Sequence, residues 1–418
     1  MWKQTLAGRE ARLAYWMLAP TFIVVFAIVL FPVLANFWIS FKLVGLGDLR
    51  APTPQVRERV LESPETPGDT LAVRYQMRNQ SRDVGLTGVT LLDTLPPGLE
   101  LLTQDERCAV EATLLRCNLG AWEGGYRDDL ELNFQTTQTY FAQNADPLAT
   151  EAGISGQATN VLTNFDFTLE NFRSVFESSE FWPVLRTSLY YTFFGTAGSI
   201  LLGLFAAQLL NAEFRGRGLL RSLFLFPYIA PVIAGAFTWI FMLDPLGGSV
   251  NALGQQFNII EQPISFLSQR NIDVSWFGLA LSFPLALTTV ILFEVWRYFP
   301  FAFLFILARF QAIPGEIYEA AEVDGASPLQ QFWHLTLPQL VGILSTLFLL
   351  RFIWIFNKFD DIFLLTGGAA GTKTLPVQVY DQAFARSDIG MGAAVAVILF
   401  VVLAIFMILY FRFIPEGE

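Results

Sequence analysis

Charge is scarce in this chain: 15% of its 418 residues are Asp, Glu, Lys or Arg, while 53% are hydrophobic. Two or three soluble domains would suit the length, but that balance argues against a purely soluble protein. Basic residues are scarcer than acidic ones, 26 against 37. The positive surface that nucleic-acid binding needs is therefore missing. Histidine occurs once, at His334, and cysteine twice, at Cys108 and Cys117. No Walker A phosphate-binding loop is present either. The nearest approach runs from Gly367 to Thr374, where Lys373 follows Thr372 rather than glycine. No ATP hydrolysis is expected of the chain itself.

What charge there is lies unevenly. Residues 43–183 hold 10 Lys/Arg and 21 Asp/Glu, a net −11, and the remainder holds 16 of each. One acidic, water-loving block thus sits inside an apolar, electrically balanced chain. A helix needs about 20 apolar residues to cross the hydrocarbon core of a bilayer. Six stretches qualify: Leu13–Phe41, about Val184–Leu210, Leu223–Leu243, one starting near Trp276 and continuing past Glu294 and Arg297, about Leu340–Phe356, and Met391–Phe411. The first is too long for the apolar core of a signal peptide and no small-residue cleavage site follows it, so it is expected to be retained.

Short-loop Lys and Arg set the orientation. Lys3, Arg9 and Arg12 precede the first stretch, Arg215, Arg217 and Arg221 join the second to the third, and Arg412 follows the sixth. Six spans put all three sites on one side, expected to be cytoplasmic, with both termini. The acidic block then lies outside. The 310–338 loop falls inside by counting spans, although it is acidic and the charge rule does not support that placement.

Within the block, residues 66–139 read as short strands. Leu71, Val73 and Tyr75 alternate with polar neighbours, as do Val89 and Leu91, and Leu130, Leu132 and Phe134. Pro67-Gly68, Pro96-Pro97-Gly98 and Gly124-Gly125 mark turns between them. A small all-β sandwich is expected. Cys108 and Cys117 are either two buried thiols or a disulfide across a short loop, and an oxidising outer compartment favours the disulfide. A metal site is not expected, because His334 falls on the other side of the membrane from both cysteines.

The run Asp69–Tyr75, Asn79, Val89–Asp93 followed by Thr-Leu-Pro96-Pro-Gly98, then Cys108, Cys117–Gly120 and Gly125 resembles a bacterial cell-surface repeat. That repeat is an immunoglobulin-like domain marked by D-x-L-P-x-G. The resemblance implies a fold and a place outside the cytoplasm, and no chemistry.

The stretch from Ile313 to Pro338 reads as two short helices with a break. Pro314 suits a first turn, and Glu316 and Glu319 favour the positive end of the helix dipole. Gly325 permits a sharp turn, and Ser327 can cap a second helix opened by Pro328. Ala320, Ala321 and Gly325 leave a low-relief face that another backbone can approach. Glu319, Ala320, Ala321, Asp324, Gly325, Leu337 and Pro338 match the pattern of the EAA loop of permease subunits of binding-protein-dependent ABC importers. In that family the loop docks into a groove on a cytoplasmic ATPase and transmits its movement. The run Arg351-Phe-Ile-Trp354-Ile-Phe-Asn357-Lys-Phe359-Asp360-Asp-Ile362, ending Thr366-Gly367-Gly368, resembles a segment of the maltose-type sugar permeases. Those relatives continue with Gly-Pro where this chain has Ala369-Ala370-Gly371.

The resemblance implies an all-α polytopic membrane protein with six transmembrane helices and the ABC importer permease fold, interrupted by an all-β sandwich. Its parts are 1–42, with the first span; 43–183, outside; and 184–418, a five-helix core with the loop at 313–338. It implies a sister permease, an ATPase dimer holding ATP and Mg, an extracytoplasmic solute-binding protein, membrane lipid and a sugar as partners, in a bacterial inner membrane. The chain itself would be no enzyme and would bind no cofactor. A glycerol phosphate or polyol substrate, or a membrane-anchored surface binding protein, is the alternative.

Polar residues within spans are costly and often functional. Glu294 and Arg297, three apart, are expected to pair. Arg351, Trp354, Asn357 and Asp360 form a stripe at every third residue. Sugars need planar hydrogen-bonding groups and an aromatic face. Trp354 and Asn357 lead the candidates for the substrate path, with Asp360 beside them. Arg351 and Asp360 also suit a structural role.

Overall fold

The protein is described here by a computed structural model covering residues 6–49, 52–81, 84–103, 105–143, 146–158, 160–276 and 279–413. Two compact units emerge: a helical one comprising residues up to Ser40, Glu170–Arg386 and Met391 onward, and a second comprising Phe41–Leu169 with Ser387–Gly390.

Among the described residues of the helical unit, five helices are long and apolar enough to cross a membrane: Leu13–Ser40, Phe181–Asn211, Leu285–Gln311, Pro328–Phe356 and Ile389–Phe413. The expected third span departs from a straight rod. Arg217–Ile229 and Val232–Met242 meet at a 93° bend. Pro231 has no N–H to continue the first helix, and it holds Ala230 extended, at ψ 140°. The expected fourth span also changes. Residues near Trp276 form an antiparallel pair of strands, Ile272–Trp276 with Leu279–Phe283, and the helix starts at Leu285 after Pro284. Hydropathy counts apolar residues and is blind to whether they lie on a strand or a helix.

The Phe181–Asn211 and Leu285–Gln311 helices lie close together because their contact line is small. A Cβ on Gly203 would come within 2.8 Å of both the Ala302 Cβ and the Phe303 nitrogen. Close approach of backbones through small residues is how membrane helices gain packing energy where lipid removes the hydrophobic drive. Ala206, Ala207, Phe303, Ile306, Leu340 and Leu347 complete a buried cluster around that contact.

The described residues of the second unit form eight strands: β1 (Pro54–Glu62), β2 (Thr70–Asn79), β3 (Leu86–Thr94), β4 (Leu99–Leu101), β5 (Cys108–Glu111), β6 (Leu114–Trp122), β7 (Arg127–Thr136) and β8 (Gly153–Ala158). They form two four-stranded sheets, ordered β1-β2-β7-β4 and β5-β6-β3-β8, with every neighbouring pair antiparallel. Leu71, Val73 and Tyr75 of β2, Leu91 of β3, Leu115 of β6 and Leu132 and Phe134 of β7 share one buried core. Strands extend beyond 66–139 at both ends. β1 alternates Arg57 and Arg59 with half-buried Val56 and Val60, and β8 contains Gly153 and Gly156, so neither shows a strong apolar period. Cys108 and Cys117 stand directly opposite in the β5–β6 register and are disulfide-bonded.

In that core the Tyr75 hydroxyl donates to Asp93 Oδ2 at 2.6 Å. Burial pushes the Asp93 carboxyl above its ordinary value, against the hydrogen bonds from Tyr75 and the Thr94 backbone. A raised folded-state pKa means that the folded form holds its proton longer than the unfolded chain. Its stabilising contribution is present below the unfolded value and is lost as pH rises through the folded one. Asp93→Asn is therefore expected to flatten the decline in thermal stability of this unit as pH rises above the ordinary carboxylate range. An unchanged profile would assign the decline to Glu58, which burial also raises.

Candidate functional site

The 313–338 loop is built by local capping. Pro314 opens a helix over Gly315–Val323. The Gly325 N–H donates to the Glu322 carbonyl at 3.0 Å, and the Ala326 N–H to the Ala321 carbonyl at 2.9 Å. Gly325 sits at φ +81°, a left-handed cap that favours glycine. Ser327 and Gln330 then form a reciprocal capping box, with Pro328 opening the second helix. The Tyr318 hydroxyl meets Thr336 Oγ1 at 2.9 Å and ties the first helix to the turn that leads into Leu337. Glu319, Ala320, Asp324, Gly325 and Pro338 are exposed, while Ala321 and Leu337 are half-buried. The exposed large apolar side chains of this stretch include Val323 at 89% exposure, Leu329 at 68% and Trp333 at 57%. Val323 lies outside every candidate span, while Leu329 and Trp333 fall in the first turns of the Pro328–Phe356 helix.

The second feature is a cavity of 550 Å³ that includes Tyr298, Arg351, Trp354, Asn357, Lys358 and Asp360 in its lining. The stripe of every third residue, Arg351 to Asp360, thus faces one space. Trp354 is half-exposed and packs on Phe301 at 5.3 Å between centroids. Asn357 ends the Leu337–Phe356 helix. Its amide nitrogen donates to the Ile353 carbonyl at 2.8 Å, which leaves Oδ1 free to accept. Asp360 opens the next helix, Asp360–Thr366.

Behind the cavity lies a buried charge cluster. Arg351 donates to Glu294 Oε1 at 2.5 Å, and the Tyr191 hydroxyl donates to Oε2 at 3.1 Å. Lys358 Nζ lies 3.5 Å from Glu294 Oε2 and 3.1 Å from Asp361 Oδ2. Lys358 also donates to the Tyr298 hydroxyl. The Tyr298 ring faces both cations, Lys358 at 3.6 Å and Arg351 at 4.3 Å from its centroid. The expected Glu294–Arg297 pair is not formed. Glu294 turns to Arg351 on another helix, while Arg297 lies near Gly235 and over the Tyr298 ring, 5.5 Å from its centroid. Spacing along one helix identifies neighbours on a face, and here a partner from a second helix outcompetes them. Tyr191, Tyr298, Lys358 and Asp361 are members that sequence reasoning missed. The i, i+3 spacing of Lys358 and Asp361, just beyond Arg351, was the available signal.

Two lesser candidates resolve plainly. Lys373 of the Gly367–Thr374 loop pairs with Asp381 at 2.6 Å, so its ammonium is already satisfied by a carboxylate. His334 is an exposed helix-surface residue beside the Gln330 carbonyl.

Five apolar helices, a bent apolar pair and an exposed two-helix loop define a multi-pass membrane component. The chain belongs to the family of binding-protein-dependent transport system inner membrane components, whose pattern matches residues 199–416. It is 37% identical over 235 residues to the inner membrane ABC transporter permease protein YcjO of Escherichia coli (strain K12), covering 56% of this chain and 75% of that one. It is 33% identical over 245 residues to the trehalose/maltose transport system permease protein MalF of Thermococcus litoralis, covering 58% of this chain and 78% of that one. A chain in the crystal structure of a bacterial alginate ABC transporter with an alginate pentasaccharide-bound periplasmic protein has the same fold. The TM-score is 0.51 at 20% identity, over 58% of this chain and 81% of that one.

Proposed function

We propose that the chain is the permease subunit of an ATP-driven carbohydrate importer. It would form the translocation path with a sister permease, receive substrate from an extracytoplasmic solute-binding protein, and couple to a cytoplasmic ATPase dimer through the 313–338 loop. The observation that carries this reading is the exposed helix–turn–helix over 313–338. In a family of binding-protein-dependent components, it offers exposed Val323, Leu329 and Trp333 beside the shallow Ala320–Gly325 turn. The ATPase supplies hydrolysis, with its own ATP and Mg. The short-loop arginines support cytoplasmic termini in a bacterial inner membrane and an outward β unit, where a disulfide persists. Two sheets around one core, with the D-x-L-P-x-G turn, support an immunoglobulin-like sandwich for that unit.

The sugar assignment rests on the MalF relative and on the cavity. Trp354 presents a ring and Asn357 a free amide oxygen, the two groups that a neutral sugar uses. Both cations in the lining are already paired, Arg351 with Glu294 and Lys358 with Glu294 and Asp361. A phosphate would find no uncommitted charge there, which favours a neutral sugar over glycerol phosphate. In proteoliposomes holding the full complex, Asn357→Ala is expected to reduce ATP-dependent sugar uptake about three- to tenfold, the worth of one neutral hydrogen bond. The ATPase rate without substrate should be unchanged. Undiminished uptake would remove Asn357 from the path.

A further inference from the structure

The second unit is acidic, with 10 Lys/Arg against 19 Asp/Glu across residues 41–169 and 387–390. One place on it is the reverse. A cavity of 680 Å³ against β1, β2, β7 and β8 is lined by Arg57, Arg78, Arg127, Gln55 and Gln76, with Asp129 as its one carboxylate. The register explains the convergence. Arg78 stands opposite Gln55 on one side and opposite Arg127 on the other, while Gln76 stands opposite Arg57 and Asp129. All of these point away from the core, because Tyr75, Met77 and Leu130 take the inward positions.

This arrangement works against the stability of the sheet. Like charges directly opposite on neighbouring strands are destabilising. The Gln76 amide nitrogen approaches Asp129 Oδ2 at 3.5 Å, and Arg78 is taken by the Gln55 side chain at 2.9 and 2.6 Å. Among the described residues, the Arg57 and Arg127 side chains have no ion-pair partner, although the unit has nearly two acids per base. Surface rows that serve only the fold pair as Arg74 does with Glu131 on the same face, at 2.7 Å.

We propose that this arginine face binds an acidic segment of a partner protein, through carboxylates taken by Arg57, Arg78 and Arg127. Guanidinium forks match carboxylates two bonds at a time, and glutamine amides add donors between them. None of the lining side chains is aromatic, so a saccharide lacks the stacking platform that it uses. The assignment does not depend on what the helical unit transports.

The test uses the full chain in nanodiscs of zwitterionic lipid and fluorescent poly-L-glutamate as the probe. The wild type is expected to bind, and to bind less tightly as salt rises. Arg57→Gln with Arg127→Gln should weaken binding about tenfold, the loss of two partly solvated charge pairs. Arg116→Gln, on the other sheet, should leave it unchanged. The double variant's thermal midpoint should match or exceed the wild type, which separates lost binding from lost folding. Three results would overturn the proposal: no binding by the wild type, equal binding by the double variant, or tighter binding of a polyuronate or of anionic vesicles than of poly-L-glutamate.

Discussion

Replacing Arg351 by alanine is expected to be the most destabilising single change in the helical unit, costing about 3–5 kcal/mol. Arg351 is 1% exposed and Glu294 is fully buried. Both lie within apolar helices, so neither can turn to bulk water. Removing the guanidinium leaves Lys358 as the one cation beside Glu294, with the neutral Tyr191 hydroxyl its other donor, and Lys358 also serves Asp361. Two buried carboxylates then share one ammonium. Breaking a buried pair costs more than never having built one, because the surviving charge keeps its desolvation penalty. The double variant Arg351→Met with Glu294→Met should therefore recover most of the loss, since two apolar side chains of similar length replace two charges. The readouts are the yield of folded protein from membranes and its thermal midpoint in detergent. A wild-type midpoint in Arg351→Ala would mean that Glu294 does not depend on that guanidinium.

The same cluster shows where sequence reading stops. Periods of two and runs of about twenty are local, so the core strands around Tyr75 and Leu132 and the long apolar helices are legible along the chain. The bend at Pro231 is signalled by its residue type, but an angle of 93° depends on what the second half packs against. The strands at 272–283 are apolar enough to be read as part of a span, and pairing, not composition, separates them from the helix that follows. Glu294 meets Arg351 across 57 positions. No spacing rule reaches that far, and the nearer Arg297 is the one that periodicity selects. Arg351, Trp354, Asn357 and Asp360 are visible as a stripe. Their neighbour Tyr298, on another helix, becomes visible only when the two helices are packed.

Gly325→Asp is expected to reduce substrate uptake at least tenfold while leaving the chain folded. The two halves of that expectation come from different properties of one position. At φ +81° an ordinary L-residue is strained by about 1–2 kcal/mol, and aspartate is among the side chains that tolerate this region best. A Cβ built there meets nothing within 4 Å of its own chain. The variant therefore carries little internal penalty beyond mild backbone strain, and its thermal midpoint should stay close to the wild type. Any large effect must arise where a partner approaches. The turn there is shallow because Ala320, Ala321 and Gly325 present almost no side chain, and Val323 and Leu329 flank it exposed. A carboxylate placed in that contact stays buried and unpaired unless the partner offers a cation, and an unpaired buried charge opposes association strongly. Gly325→Ala adds only a methyl group and should fall between the two. The measurements are ATP-driven uptake in proteoliposomes, substrate-stimulated ATPase rate, and co-purification of the ATPase. Loss of uptake with the ATPase still bound would locate the defect in transmission of movement, and loss of both would locate it in docking. Wild-type uptake with normal assembly would mean that the ATPase docks elsewhere on the chain.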